Sequence, residues 1–166
     1  MLRLIGAAAA FGALSWCGFH RAAWYRRRVS CLAAWRRGVL EGERMLCDRG
    51  ESTPAYLARL GEIPGLERMA GDCLARLEQE ERLEPAWEKA LADARLPLNE
   101  EERRAVAALG SVIGRYDPDH QRLALEEARQ RLGTLLAAAE EERRRLCRMW
   151  PVLGVSAGAL VVILFY

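Results

Sequence analysis

Two uncharged apolar runs, one near each end of the chain, constrain its fold more than any other feature. They cover residues 4–20 and 149–166 of the 166 residues. A membrane-spanning helix needs about 20 predominantly apolar residues, so both runs predict transmembrane helices. The predicted organisation is an N-terminal transmembrane helix over 1–25, a cytosolic helical domain over 26–148 and a C-terminal transmembrane helix over 149–166.

Arginine side chains flank both apolar runs on the side of the central domain, whereas the outer flanks carry only Arg3. Because segments rich in Lys and Arg stay on the cytoplasmic side of a membrane, we predict a two-span hairpin in the cell membrane with its central domain in the cytoplasm. Membrane lipid is therefore a predicted partner. The membrane-flanking basic residues are Arg21, Arg26, Arg27, Arg28, Arg143, Arg144, Arg145 and Arg148.

Each apolar run has an alternative interpretation. The first could be a cleaved signal peptide, and Leu14-Ser15-Trp16-Cys17 resembles a lipoprotein cleavage box. However, bulky Trp16 fills the position before Cys17 where a small residue is needed, which favours a retained span. The second run could be a buried core helix, but its unbroken apolar character favours a membrane span.

Gly154 and Gly158 form a Gly-x-x-x-Gly pattern in the second run. This spacing allows two helix backbones to approach closely in a membrane. The first run offers a matching surface of small residues between Gly6 and Gly12. The pattern predicts packing of the two spans against each other or against another subunit, and a homo-oligomer is one form of the second alternative.

The central region is predicted to be entirely helical, because Ala, Leu, Arg and Glu dominate and alternating β-branched runs are absent. Cap residues and prolines divide it into a bundle of about six helices, so the fold class is all-α. Pro64 is predicted to open one of these helices, and Pro151 is predicted to kink the last one. The predicted helix caps are Thr53 before Pro54, Asn99 with Glu102 three residues later, and Asp117 before Pro118.

Several functional classes are disfavoured. The 25 basic and 23 acidic side chains give a net charge of +2, which argues against nucleic-acid binding through phosphate neutralisation. The chain has two histidines, no Cys-x-x-Cys pair and no glycine-rich loop followed by lysine, so we predict no catalytic residue, no metal site and no cofactor. The run Glu140–Glu142 before Arg143 stabilises an exposed helix, and a docking face for a partner is the alternative.

Short segments distributed along the chain, in their order and spacing, resemble the stage III sporulation protein AB family. The segments are Met1-Leu-Arg-Leu-Ile-Gly6, Ser52-Thr-Pro-Ala-Tyr-Leu57, Ala86-Trp-Glu-Lys-Ala-Leu91, Leu109-Gly-Ser-Val-Ile-Gly114 with Asp117 and Gln121, Leu153-Gly-Val155 and Val162-Ile-Leu-Phe165.

The resemblance implies a specific function. Members of this family have a cytosolic domain similar to that of type II secretion F proteins, which form a membrane platform beside a secretion ATPase. The resemblance therefore implies a non-enzymatic platform subunit of the channel between mother cell and forespore. Its expected partners are other channel subunits, including the AA ATPase, and its expected location is the mother-cell membrane. The alternative is a membrane-anchored signalling or adaptor module unrelated to secretion.

Overall fold

The computed structural model describes residues 2–79, 82–114 and 118–165, and every regular element in these ranges is helical. The absence of strands from the described residues confirms the predicted all-α class. The α-helices are α1 (Leu2–Gly42), α2 (Thr53–Leu60), α3 (Glu67–Glu78), α4 (Leu83–Asp93), α5 (Glu100–Ala107), α6 (Leu109–Ile113) and α7 (Pro118–Phe165), and a π-helical segment (Glu43–Asp48) follows α1.

The two long helices run without interruption through the domain boundaries that were predicted. α1 contains 41 residues, so no helix end separates 1–25 from the segment after it. α7 contains 48 residues and its helical assignment continues through Pro151, where the kink stays a prediction. Among the residues that the structure describes, none of the helices is both long enough and apolar enough to traverse a bilayer.

The chain divides into two compact units. The helix-pair unit comprises Met1–Val29 and Ala138–Tyr166, and the bundle unit comprises Ser30–Ala137. All eight arginines that were predicted to flank the membrane belong to the helix-pair unit. The bundle unit contains the rest of α1 and α7 together with the five shorter α-helices and the π-helical segment.

The core of the bundle unit is built around two tryptophans. The indole rings of Trp35 and Trp87 lie 5.6 Å apart at an interplanar angle of 60°, and both side chains are fully buried. The Trp87 Nε1–H donates a hydrogen bond of 3.1 Å to the carbonyl oxygen of Val106. Trp87 thereby ties α4 to α5, while Trp35 brings α1 into the same core.

Two glycines allow helices to approach this core closely. A Cβ atom at Gly110 would lie 2.8 Å from Cγ of Trp87, and a Cβ atom at Gly38 would lie 2.5 Å from a methyl carbon of Leu60. The hydroxyl of Tyr56 donates a hydrogen bond of 3.1 Å to the carbonyl oxygen of Gly38. A larger side chain at Gly110 would force α6 away from the rigid Trp87 ring, whereas one at Gly38 would require the Leu60 side chain to shift.

The helix α2 begins at Thr53, the residue that was predicted to be its N-cap. Ser52 has the extended N-cap conformation (φ −74°, ψ 153°), and its side chain accepts a hydrogen bond of 3.4 Å from the backbone N–H of Ala55. Thr53 is already the first helical residue, so the prediction that Thr53 caps this helix was wrong by one position. The backbone conformation decides which of the two adjacent hydroxyls reaches the free N–H groups.

Replacing Ser52 with alanine is expected to lower the free energy of unfolding by about 0.5–1 kcal/mol, the lower part of the range for lost N-caps because the hydrogen bond is long. Replacing Thr53 with valine keeps the side-chain shape and removes the other hydroxyl, so it serves as the matched control. Thermal unfolding of the two variants measures the difference. A greater loss in the Thr53→Val variant would assign the cap to Thr53.

Two other helix starts define the bundle. Pro64 lies in the turn before α3, which begins at Glu67 rather than at the predicted Pro64, because Gly65 adopts a φ of +96° that no helix accommodates. At the start of α5, the Asn99 side chain accepts a hydrogen bond from the Glu102 N–H and the Glu102 carboxylate accepts one from the Asn99 N–H, each at 2.8 Å. Asn99 and Glu102 therefore form the reciprocal capping box that their spacing predicts.

The helix that begins after Asn99 is short. A turn at Ala108 separates α5 from α6, although no Gly or Pro lies between Asn99 and Ala108 in the sequence. Gln121 of α7 is buried, and its side-chain amide donates hydrogen bonds of 2.8 Å and 3.3 Å to the carbonyl oxygens of Ile113 and Val112. These bonds satisfy the C-terminal carbonyls of α6. The predicted cap Asp117 lies outside the described residues.

Candidate functional site

The helix-pair unit is defined by contacts between α1 and α7. The Cys147 thiol donates a hydrogen bond of 3.3 Å to the carbonyl oxygen of Ala22. Nη1 of Arg28 lies 2.5 Å from Oε2 of Glu142. Position 22 thus pairs with 147 and position 28 with 142, so residue numbers rise along one helix as they fall along the other. The two helices are therefore antiparallel within one chain.

Arg28 is the buried cation of this pair. Its side chain is 9% exposed, whereas that of Glu142 is 43% exposed. The guanidinium carbon lies 5.6 Å from the centre of the Trp24 ring, and that ring packs edge-on against Tyr25 at 5.1 Å. The ion pair and the cation–π contact both stabilise the guanidinium in this buried position. Arg28 holds two helices together, a role that the run of arginines in the sequence does not indicate.

The other arginines that were predicted to flank the membrane have different environments. Arg143 is partly buried, and its Nε atom has no hydrogen-bond partner among the described atoms. The side chains of the remaining six are exposed. These are Arg21, Arg26, Arg27, Arg144, Arg145 and Arg148.

Large apolar side chains of the helix-pair unit are exposed instead of buried. Trp16 is 73% exposed and Leu160 is 67% exposed. Soluble monomeric proteins rarely expose many large apolar side chains together. The other exposed apolar residues of this unit are Phe19, Met149, Val152, Leu153 and Val155. Gly154 and Gly158 lie in α7, but their surroundings are outside what the structure describes, so the packing predicted for them stays a prediction.

The two partners of the Arg28–Glu142 ion pair are expected to differ in how much stability is lost when each is replaced. Replacing Glu142 with alanine removes a carboxylate from the buried Arg28 guanidinium. We expect the free energy of unfolding to fall by about 2 kcal/mol. This loss is smaller than for a fully buried ion pair because Glu142 is half-exposed. Replacing Arg28 with methionine is expected to cost less than about 1 kcal/mol, since methionine fills the site and Glu142 becomes hydrated. Thermal unfolding in detergent micelles measures both. An equal or larger loss in Arg28→Met would contradict this assignment of the buried charge.

Two buried cysteines of the bundle unit are poorly placed for nucleophilic chemistry. Burial raises the pKa of the Cys31 thiol to about 12, with a smaller contribution from the Glu102 carboxylate. Burial also raises the pKa of the Cys73 thiol to about 11. Only the thiolate is a strong nucleophile, so both groups are unreactive near neutral pH. Within the described ranges, no group of three His, Cys, Asp or Glu side chains could hold a metal ion.

These features define a class of protein: an all-helical chain with one unit in which two long helices pair in antiparallel orientation and another unit that contains the shorter helices. The family model of stage III sporulation protein AB matches residues 3–166. The chain therefore belongs to the stage III sporulation protein AB family and is a sporulation-related protein, as its short sequence segments predict. No curated protein and no solved structure matches the chain.

Sequence reasoning did not find the pairing of Arg28 with Glu142. The two residues are separated by 114 positions, and each lies in a charged run whose members look alike. A periodicity argument would place Arg28 near the apolar stripe of α1, but it would not identify a carboxylate so distant in the chain. Among the residues that the sequence singled out, the structure does group the eight membrane-flanking arginines, which all lie in the helix-pair unit.

Proposed function

We propose that the chain is a non-enzymatic membrane platform subunit of the channel between mother cell and forespore, and that it docks the companion AA ATPase on the cytoplasmic side. Family membership supports a role in sporulation. The observation that carries the membrane platform is the antiparallel pairing of α1 and α7, since it places both apolar runs at the same end of one helix pair. One end of this pair would then anchor the bundle.

The membrane anchor explains the exposed apolar side chains. Residues 149–166 contain no charged side chain, and Val152 and Leu160 are more than 60% exposed. Contact with lipid acyl chains would remove these apolar groups from water, and their exposure to water is unfavourable in free energy. The exposed Arg144, Arg145 and Arg148 precede this run, where basic side chains attract anionic lipid headgroups. The central domain would then be cytoplasmic and both ends of the chain would lie across the membrane.

Thiol labelling tests the first span. The Cys17 side chain is exposed in the folded chain, so only lipid would protect it from a water-soluble maleimide. The test uses the Cys47→Ser/Cys147→Ser variant in freeze–thawed membrane vesicles, since Cys31 and Cys73 are buried. We expect Cys17 to remain unlabelled until detergent is added. Rapid labelling of Cys17 in intact bilayers would contradict the span.

The matched control places a thiol outside the span. Ser30 is exposed and lies in the bundle unit. In the same background with Cys17 replaced by serine, Ser30→Cys is expected to react at once without detergent. Reporter fusions at both termini and within 82–114 then test orientation. A cytoplasmic C-terminus would exclude the hairpin.

Co-purification tests the docking of the ATPase. The full chain, solubilised from membranes in mild detergent, is expected to retain the AA ATPase, while a two-span membrane protein of similar charge prepared in parallel retains none. Absence of the ATPase from an intact, correctly oriented chain would contradict the platform role. It would favour a membrane-anchored signalling or adaptor module instead.

A further inference from the structure

A groove between α1 and α7 in the bundle unit combines an apolar floor with three guanidinium groups. Its volume is about 320 Å³. We call it the arginine groove. Its floor consists of Ala33, Leu40 and Leu136, and its basic groups are Arg36, Arg37 and Arg129.

The positive charge of the arginine groove is poorly compensated within the chain. Arg36 and Arg37 are exposed, and neither forms an ion pair with a residue that the structure describes. The Nε atom of Arg129 is buried without a hydrogen-bond acceptor. Its closest carboxylates, on Glu43 and Glu126, lie 3.7 Å and 3.9 Å from the guanidinium, beyond hydrogen-bond distance.

Other arginines of the same unit have much closer partners. Arg122 lies 2.6 Å from the Asp48 carboxylate. Arg76 lies 2.9 Å from the Asp93 carboxylate. The arginine groove therefore brings together three guanidinium groups whose donors remain available, since none of them lies closer than 3.7 Å to a carboxylate that the structure describes. An acidic ligand would gain charge-assisted hydrogen bonds there without displacing a strong internal ion pair.

The residues that line the arginine groove share one face of α1 and one face of α7. Ala33, Arg37 and Leu40 follow one another at intervals of four and three on α1. Arg129 and Leu136 are seven residues apart on α7, so they share one face of that helix. Ala33 and Leu40 on α1 and Leu136 on α7 give this groove an apolar floor between two helices, and an amphipathic helix can bind in an apolar groove of this kind.

We propose that the arginine groove binds an acidic amphipathic helix of a partner protein. Leucine-type side chains of that helix would cover Leu40 and Leu136, and its carboxylates would pair with Arg36, Arg37 and Arg129. Charge complementarity identifies the occupant as acidic, and the apolar floor requires that it be amphipathic. The inference rests on the proposed function at one point: a platform subunit needs a surface that binds another protein.

The test measures binding of a fluorescein-labelled synthetic peptide by anisotropy to the full chain in detergent micelles. The peptide has glutamates on one helix face and leucines on the other, and a scrambled peptide of identical composition tests for attraction by charge alone. We expect the scrambled peptide to bind at least about tenfold more weakly, because it cannot cover the apolar floor while its acids pair.

Variants of the chain locate the binding site. Arg36→Glu/Arg37→Glu is expected to weaken peptide binding at least about tenfold, the effect of losing one net charge-assisted interaction or more. Leu40→Ser removes part of the floor without changing charge and is expected to weaken binding as well. Arg68→Glu/Arg131→Glu makes the same change of charge at exposed positions outside the groove, so it serves as the matched control and should bind as the unmodified chain does.

Several results would overturn the proposal: no detectable binding of the amphipathic peptide, equal binding of the scrambled peptide, or retained binding by both groove variants. Light scattering after gel filtration, which measures the number of chains per particle, gives a further test. If Arg36→Glu/Arg37→Glu changes the number of chains per particle, a second copy occupies the groove and the proposal is wrong. Peptide binding without retention of the AA ATPase would leave the groove proposal intact while contradicting the proposed function.

Discussion

Replacing Trp87 with alanine is expected to lower the free energy of unfolding of the bundle unit by about 3–5 kcal/mol, the range for deleting a buried aromatic side chain. Trp87 is fully buried and lies 5.6 Å from the ring of Trp35. The substitution removes this contact, leaves a cavity against α6 and deprives the Val106 carbonyl of its indole donor. Three elements, α1, α4 and α5, therefore lose a common contact.

Denaturant-induced unfolding followed by circular dichroism measures this loss. Leu123→Ala is the control, because the Leu123 side chain is 59% exposed and its truncation should change stability by less than about 0.5 kcal/mol. A loss below about 1 kcal/mol for Trp87→Ala would mean that the two tryptophans do not form the centre of the core. Replacing Trp87 with phenylalanine should fall between the two extremes, since the ring is retained but the N–H donor is lost.

Replacing Gly110 with valine is expected to destabilise the bundle unit by about 3 kcal/mol, at the upper end of typical overpacking effects. The new Cβ atom would lie 2.8 Å from Cγ and Cδ1 of Trp87 and 3.0 Å from its Cβ. Trp87 is fully buried and hydrogen-bonded, so it cannot move aside without disturbing Trp35 or Val106. The strain must then be relieved by separation of α4 from α6.

Gly71→Val is the matched control, because Gly71 is exposed in α3 and a Cβ atom there meets nothing within 4 Å. Thermal unfolding should show a large decrease in Tm for Gly110→Val and little change for Gly71→Val. Combining Gly110→Ala with Trp87→Phe should cost less than the sum of the single changes, since the smaller ring makes room for the methyl group. Additive losses would show that the two residues do not interact.

Part of the helical structure could be predicted from local chemistry. Asn99 and Glu102 satisfy each other's backbone N–H groups over a span of four residues, so their spacing was sufficient to place the start of α5. Ser52 and Thr53 both carry a hydroxyl, and only the backbone angles of the folded chain decide that Ser52 is the cap. Similarly, no Gly or Pro lies between Asn99 and the turn at Ala108, and the contact of α6 with Trp87 at Gly110, two residues after the turn, is visible only in the folded chain.

The two apolar runs and the arginines beside them are determined by the sequence itself, because composition and charge order are local properties. So are the all-α class and the family to which the chain belongs. The tertiary structure alone decided that Arg28 is a buried partner of Glu142, that α1 and α7 pair in antiparallel orientation, and that Arg36, Arg37 and Arg129 surround one groove. These features depend on residues more than 90 positions apart, and a local pattern cannot specify which distant side chain will lie within contact distance.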